Sequence, residues 1–286
     1  MEGIEMDKSL ISVVTVCLNA EKVIEQTIES ILKQNYSGFE YIIKDGESKD
    51  STVEIAKKYQ DVFKSHNISF RIISEPDDGL YDAMNKAAEV AEGEWIIYIN
   101  AGDALFNDSV LSKLSSEAVE QYDVIYGDAV LTERGKYKLL KAGSPDCFKF
   151  ENPICHQASL VKTDVVRKYR FDTKYVIASD FDLFLRIFQS NSYRLKKENM
   201  IFCIFLLGGL SRSKVWKREK EFDASRRQNG LKRVSFPHLQ MLKISVVEKI
   251  LRRMAIIVLG TRFYTNKRGW YSDKFQLQEY YNQITD

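Results

Sequence analysis

Leu80-Tyr81-Asp82-Ala83-Met84-Asn85-Lys86-Ala87-Ala88-Glu89-Val90-Ala91-Glu92-Gly93-Glu94-Trp95-Ile96-Ile97-Tyr98-Ile99-Asn100-Ala101-Gly102-Asp103 reads as a helix, a stop and a buried strand, and that order decides the fold. Leu80, Met84, Ala87, Ala88 and Ala91 recur at helical spacing and form one apolar stripe. Asp77 or Asp78 stands where an N-cap is wanted, and Gly93 where a left-handed stop is wanted. Trp95 to Ile99 is an apolar run of strand length, the pattern of a strand covered on both faces. It delivers Asn100-Ala101-Gly102-Asp103 to its C-terminal end, where open α/β sheets bind ligands.

The same unit repeats upstream. Leu10 to Leu18 is an apolar strand ending at Asn19-Ala20, and Ile24, Ile28, Ile31 and Leu32 mark a helix over about 21–33. Phe39 to Lys44 is a second strand ending at Asp45-Gly46. Ser51-Thr52-Val53-Glu54 has the form of a capping box and opens a helix to about Gln60. Ser69 to Ser74 is a third strand, followed by Glu75-Pro76-Asp77-Asp78-Gly79. Strand and helix in strict alternation predict a mainly parallel sheet with right-handed crossovers. The strand ends then share one edge, which gathers Asn19, Asp45, the Glu75/Asp77/Asp78 cluster and Asp103.

Beyond Asp103 the pattern loosens. A helix is expected over 105–119, hairpin strands over 123–130 and 137–140, and a strand over 158–161. A helix is expected over 163–169, an amphipathic helix just after Ser179-Asp180, and strands over 193–196 and 200–206. Cys17, Cys147, Cys155 and Cys203 are scattered without metal-site spacing and read as buried free thiols. The acidic N-terminus lacks a hydrophobic signal segment and no apolar run reaches membrane-spanning length, so a cytoplasmic location is expected.

A rim of carboxylates suits a hard divalent cation, Mg or Mn, which completes its shell with substrate phosphates. The glycine-rich cradles of dinucleotide oxidoreductases and P-loop NTPases are missing. What remains is a site where carboxylates hold a nucleotide and a metal neutralises its diphosphate.

Four segments together resemble the inverting family 2 glycosyltransferases of GT-A fold, over roughly residues 10 to 210. They are Ser12-Val13-Val14-Thr15-Val16-Cys17-Leu18-Asn19, Asp45-Gly46-Glu47-Ser48-Lys49-Asp50-Ser51-Thr52, Gly79-Leu80-Tyr81-Asp82-Ala83-Met84-Asn85-Lys86, and Asn100-Ala101-Gly102-Asp103. The resemblance implies a Rossmann-like α/β catalytic domain over 1–210. Its nucleotide-sugar half covers about 10–103 and its acceptor half about 104–210. It places Val16, Leu18 and Asn19 in the nucleotide pocket and Asp45 at the base. Asp78, Asp82 and Asn85 lie along the nucleotide-sugar, with Asn100, Ala101 and Gly102 beside them. Asp103 is left as the acidic member of the metal-binding DxD motif, because Ala101 stands where its first Asp is usual. Asp180 matches the catalytic base, which takes the proton of the acceptor hydroxyl, and His156 lies on the acceptor side. Each has a plainer rival: a turn at Asp45, helix caps at Asp103 and Asp180, a structural role for His156, and Asp182 in place of Asp180 as base.

The resemblance further implies a UDP-sugar as donor, a saccharide or lipid-linked saccharide as acceptor, and surface polysaccharide assembly as the setting. Two other readings stand beside it: a catalytically degenerate nucleotide-sugar-binding scaffold, motivated by Ala101, and a nucleotidyltransferase on a similar fold.

Charge divides the chain. Residues 1–211 carry 25 Lys/Arg against 33 Asp/Glu, whereas 212–268 carry 16 against 4. Residues 211–286 are therefore expected to form a basic helical extension. Lys243, Lys249, Arg252 and Arg253 among apolar residues suit an amphipathic helix on an anionic membrane, with Phe263, Trp270 and Tyr271 at the interface. A subdomain packed on the catalytic body or a homodimer interface are the alternatives. Nucleic acid is disfavoured because the basic residues are not set among base-stacking aromatics. Arg212 is a further candidate, reaching the donor diphosphate or the acceptor.

Overall fold

Ile11–Cys17 (β1) sends Ile11 and Val13 into one apolar layer and Val14 and Val16 into another. Both faces are covered, which is why the strand is apolar at nearly every position. The computed structural model describes residues 11–117, 121–133, 135–206, 215–231 and 270–271. Phe39–Asp45 (β2), Ser69–Ser74 (β3) and Trp95–Tyr98 (β4) lie parallel to β1 in the order β4-β1-β2-β3. In β4 the alternation is the same: Trp95 and Ile97 join one layer, Ile96 and Tyr98 the other. Ile24–Leu32 (α1) buries Ile24, Ile28 and Ile31 in the first layer. Thr52–Lys57 (α2) and Gln60–Ser65 (α3) follow β2, and Leu80–Val90 (α4) buries Met84, Ala87 and Ala88 in the second layer.

Several local expectations are corrected. Gly93 is not a left-handed stop, since its φ is not among the positive ones. It is needed for close approach, because a Cβ there would sit 2.6 Å from the Ser12 backbone nitrogen. Neither Asp77 nor Asp78 caps α4. Its N-cap is Gly79 at φ 105°, and Asp82, inside the helix, accepts the Asp78 N–H at 3.0 Å. Ser51 precedes α2 without a side-chain cap bond, and the helix expected to reach Gln60 stops at Lys57, with the separate α3 starting at Gln60. Of the four thiols, only Cys203 is fully buried.

The second half adds Ala104–Leu105 (β5), Val110–Glu117 (α5), Val124–Glu133 (β6), Lys136–Leu140 (β7), Ser159–Lys162 (β8), Thr163–Tyr169 (α6), Ser179–Gln189 (α7) and Leu195–Leu206 (β9). β8 runs antiparallel to β4 and β6, and joins the two halves into one mixed sheet. The sheet is thus parallel in the first half and mixed in the second. The helix expected from Leu105 starts at Val110, because Ala104–Leu105 pairs with Ile204 and Cys203 of β9. The two strands expected over 193–206 are one. The polar residues between them are paired, Lys196 with Glu117 and Glu198, and Lys197 with the Ala142 carbonyl at 2.6 Å.

Val215–Gln228 (α8) packs on α7, and Trp270–Tyr271 (β10) pairs antiparallel with β7. The boundary at 210, Arg212, Phe263 and the basic segment over 239–259 lie outside the described residues.

Candidate active site

Three strand ends build one rim. In the sheet register Cys17 sits beside Asp45 and Asp45 beside Ser74. Asp45 is buried and saturated. Its Oδ1 accepts Ser48 Oγ at 2.5 Å, and its Oδ2 accepts Ser48 N–H at 2.9 Å and Ser74 Oγ at 2.7 Å. Burial raises its pKa, but the hydrogen bonds from Ser48 and Ser74 outweigh that and hold the carboxyl below its ordinary value. Val16 is buried, whereas Leu18 and Asn19 are exposed at the rim. Asn19 has φ 50°; its N–H donates to Ser48 Oγ and its Oδ1 accepts the Lys49 N–H. Asp78 is exposed. Asp82 pairs with Lys86 at 2.9 Å. Burial raises the Asp82 pKa, and the Asp78 N–H and Lys86 more than reverse it. Asn85 faces the second half instead: its amide donates to the Phe171 carbonyl and accepts the Phe171 N–H, both at 2.8 Å.

The turn after β4 completes the rim. Ala101 N–H donates to the Val16 carbonyl at 3.2 Å, which ties it to the end of β1. Gly102 has φ 96°, a conformation that favours glycine. Thr27 Oγ1 accepts the Gly102 N–H and donates to the Asp103 carbonyl, so α1 fixes the turn. Asp103 is 7% exposed and accepts Gln157 Nε2 at 3.3 Å. Asn100 Oδ1 is a buried oxygen with no hydrogen-bond partner among the described residues. Among the described residues no cluster of three or more His, Cys, Asp or Glu could hold a metal.

His156 bridges this turn to α7. Its Nε2 accepts Asn100 Nδ2 at 3.2 Å and its Nδ1 donates to Asp180 Oδ2 at 3.3 Å. An amide nitrogen can only donate, so the neutral ring carries its proton on Nδ1. Asp180 lies inside the first turn of α7, not before it, and the N-cap is Ala178. Tyr81 OH donates to the Ile177 carbonyl at 2.8 Å and approaches Asp180 Oδ1 at 3.4 Å, while Asn152 Nδ2 is 3.5 Å from Asp180 Oδ2. Burial, then the Asp180 charge, pushes the Tyr81 phenol well up, so it stays a donor. Burial also raises the Cys155 thiol to about 12 and Cys17 higher, so neither offers a thiolate nucleophile.

Asp182, the rival of Asp180, points elsewhere. It is 1% exposed and accepts Arg186 Nε and Ser225 Oγ, each at 2.7 Å. Asp180 is the carboxylate left toward the rim. The sequence reading missed Tyr81, Asn152 and Gln157 as site residues. Only Tyr81 carried a signal, its place in Gly79 to Lys86.

The sequence profile of glycosyl transferase family 2 matches residues 12–219. A PGL/p-HBAD biosynthesis glycosyltransferase of Mycobacterium bovis is 27% identical over 259 residues, covering 88% of this chain and 94% of the relative. In three dimensions the chain is similar to S. aureus TarS 1-349 in complex with UDP-GlcNAc, at TM-score 0.59 and 16% identity, covering 78% of this chain and 68% of that one. It is also similar to the mannosyltransferase PcManGT from Pyrobaculum calidifontis in complex with GDP-Man and Mn2+, at TM-score 0.60 and 15% identity, covering 78% and 65%. At such identities the likeness is one of fold, and the fold is GT-A.

Proposed function

This chain belongs to glycosyl transferase family 2, and we propose that it is an inverting enzyme moving a sugar from a nucleotide-diphosphate sugar to a saccharide acceptor by direct displacement. The observation that carries this reading is the hydrogen-bonded path Asn100–His156–Asp180. It sets a partly exposed carboxylate one imidazole away from the turn that closes the nucleotide rim. The acceptor oxygen attacks the anomeric carbon as the bond to the diphosphate breaks, and Asp180 takes the hydroxyl proton. Such a base contributes about 10²–10⁴-fold. Tyr81 and His156 hold Asp180 from two sides, and no covalent intermediate is needed.

The donor nucleotide lies against Leu18 and Asn19, whose turn the buried Asp45 holds from beneath through Ser48, with its sugar toward Asp78 and Asp82. UDP-GlcNAc in TarS and GDP-Man in PcManGT support a nucleotide-sugar, and a UDP-sugar is our choice. Asp103 and the unpartnered Asn100 Oδ1 are two hard oxygens on one turn, a fit for Mg or Mn completed by substrate phosphates. When bound, the cation offsets the charge of the departing diphosphate. The basic composition of 212–268 supports contact with an anionic membrane face, and with it a lipid-linked acceptor.

The test is transfer from a panel of UDP- and GDP-sugars with manganese, for wild type and Asp180→Asn. The variant should bind donor normally by calorimetry and lose about 10²–10⁴-fold in kcat. Full turnover in the variant refutes the base, and no nucleotide-sugar binding by the wild type with either metal refutes the activity.

A further inference from the structure

Helix α8 begins inside the family match and runs past its end at residue 219. Its side chains reach the backbone that carries Asp180. The Glu221 carboxylate is nearly buried, with 11% of its side chain exposed. It accepts three consecutive backbone N–H groups, from Val176 at 3.2 Å, Ile177 at 2.8 Å and Ala178 at 3.0 Å. These residues lead directly into α7, and Ala178 is its N-cap. Helix N-termini leave backbone donors without intrahelical partners, and a carboxylate brought from another helix satisfies them here.

The same short segment is held from the opposite side. Tyr81 OH donates to the Ile177 carbonyl and also approaches Asp180. Ile177 is thus gripped at its N–H by Glu221 and at its carbonyl by Tyr81, three residues before Asp180. The next residue of α8, Phe222, packs on Phe181 at 4.6 Å between ring centroids, next to Asp180. Farther on, Ser225 Oγ holds Asp182, and Arg226 Nε donates to the Phe148 carbonyl at 2.9 Å. Of the ties made by α8 among the described residues, Glu221 is the one that holds the 176–178 backbone leading into Asp180.

We propose that Glu221 is a positioning residue: by clamping the 176–178 backbone it sets where the Asp180 carboxylate meets the acceptor hydroxyl. The inference rests on Asp180 being the base. Its chemistry follows from the sensitivity of proton transfer and displacement to placement, where a shift of about 1 Å costs about 10²-fold. Glutamine at 221 keeps the shape of the side chain but loses its charge and offers one acceptor oxygen for three N–H groups. The segment should loosen while the donor rim, built by other strands, stays as it is.

The experiment compares Glu221→Gln, Ser225→Ala and Asp180→Asn with the double variant Glu221→Gln/Asp180→Asn, in the full chain with Mn and the active UDP-sugar. Glu221→Gln is expected to lower kcat by about 10- to 100-fold, with donor KM within twofold. Ser225→Ala, which loosens the same helix without touching 176–178, should keep kcat near wild type at temperatures where both remain folded. In the Asp180→Asn background Glu221→Gln should cost nothing further, because residues acting through one group are not additive. An inactive Asp180→Asn beside a fully active Glu221→Gln overturns this inference alone. An equal loss from Ser225→Ala, or a full additional loss in the double variant, also overturns it. A fully active Asp180→Asn overturns the base assignment and this inference with it.

Discussion

Replacing Asp182 by Asn should cost stability and spare chemistry, the reverse of the neighbouring Asp180. The Asp182 carboxylate is 1% exposed and meets Arg186 Nε and Ser225 Oγ at 2.7 Å, with Asn229 Nδ2 at 3.3 Å. Breaking a buried ion pair by removing one partner costs about 3–5 kcal/mol. Two features lower the figure here. The Arg186 side chain is 23% exposed, and its guanidinium keeps the Tyr169 and Arg170 carbonyls at 2.5 and 2.7 Å. Against that, the Asn amide presents a donor to the Arg donor. The net is about 3 kcal/mol, which lowers the melting midpoint by roughly 6–12 °C. Thermal unfolding by circular dichroism reads it. Removing the orphaned charge as well, in Asp182→Asn/Arg186→Gln, should restore part of the loss. At temperatures well below its midpoint Asp182→Asn should retain most of its turnover. A midpoint change under about 2 °C would mean that the carboxylate is not desolvated, and a turnover loss matching Asp180→Asn would mean the two carboxylates share one role.

Gly93→Ala should destabilise strongly, by about 1–3 kcal/mol or more, because the new methyl would stand 2.6 Å from Ser12 N and 2.8 Å from the Ile11 carbonyl carbon, both backbone atoms; a urea midpoint equal to wild type would refute the packing argument. Asp45 makes acid stability specific. Its folded pKa is below its ordinary 3.8, so its contribution is complete above that value and vanishes as pH falls through the depressed one. Wild type should therefore lose more stability than Asp45→Asn between about pH 5 and pH 3 in urea titrations, and parallel curves would refute it.

The first four strands and α4 are legible because β1, β2 and β4, covered on both faces, are mostly apolar, and α4 repeats with helical period. Gly93 is legible as a special position but not for its reason. Sequence does not reveal the sign of φ, and what excludes a side chain there is Ser12, 81 residues away. The second half is harder, since its elements answer to distant partners. Ala104–Leu105 is a strand only because β9 lies beside it, and Lys196 and Lys197 stay within β9 only because Glu117, Glu198 and the Ala142 carbonyl receive them. At the site, Asp180 carries a motif while Asn152, Gln157 and Glu221 carry none. Their meaning lies in the atoms they reach, which belong to other segments.

The grip of Asn85 on Phe171 has a mechanical consequence. Together with Tyr81 on Ile177, Arg167 on the Ala88 and Ala91 carbonyls, and Thr163 on the Gly93 carbonyl, it stitches α4 and its exit to the second half by six hydrogen bonds. A jaw swinging open between the halves would have to rip that seam, at about 1 kcal/mol per bond before any packing is lost. The enzyme is better pictured as a fixed anvil. The proposed site would then accommodate its ligand at the exposed lip of Leu18–Asn19 and Asp78–Gly79, which the seam leaves untouched.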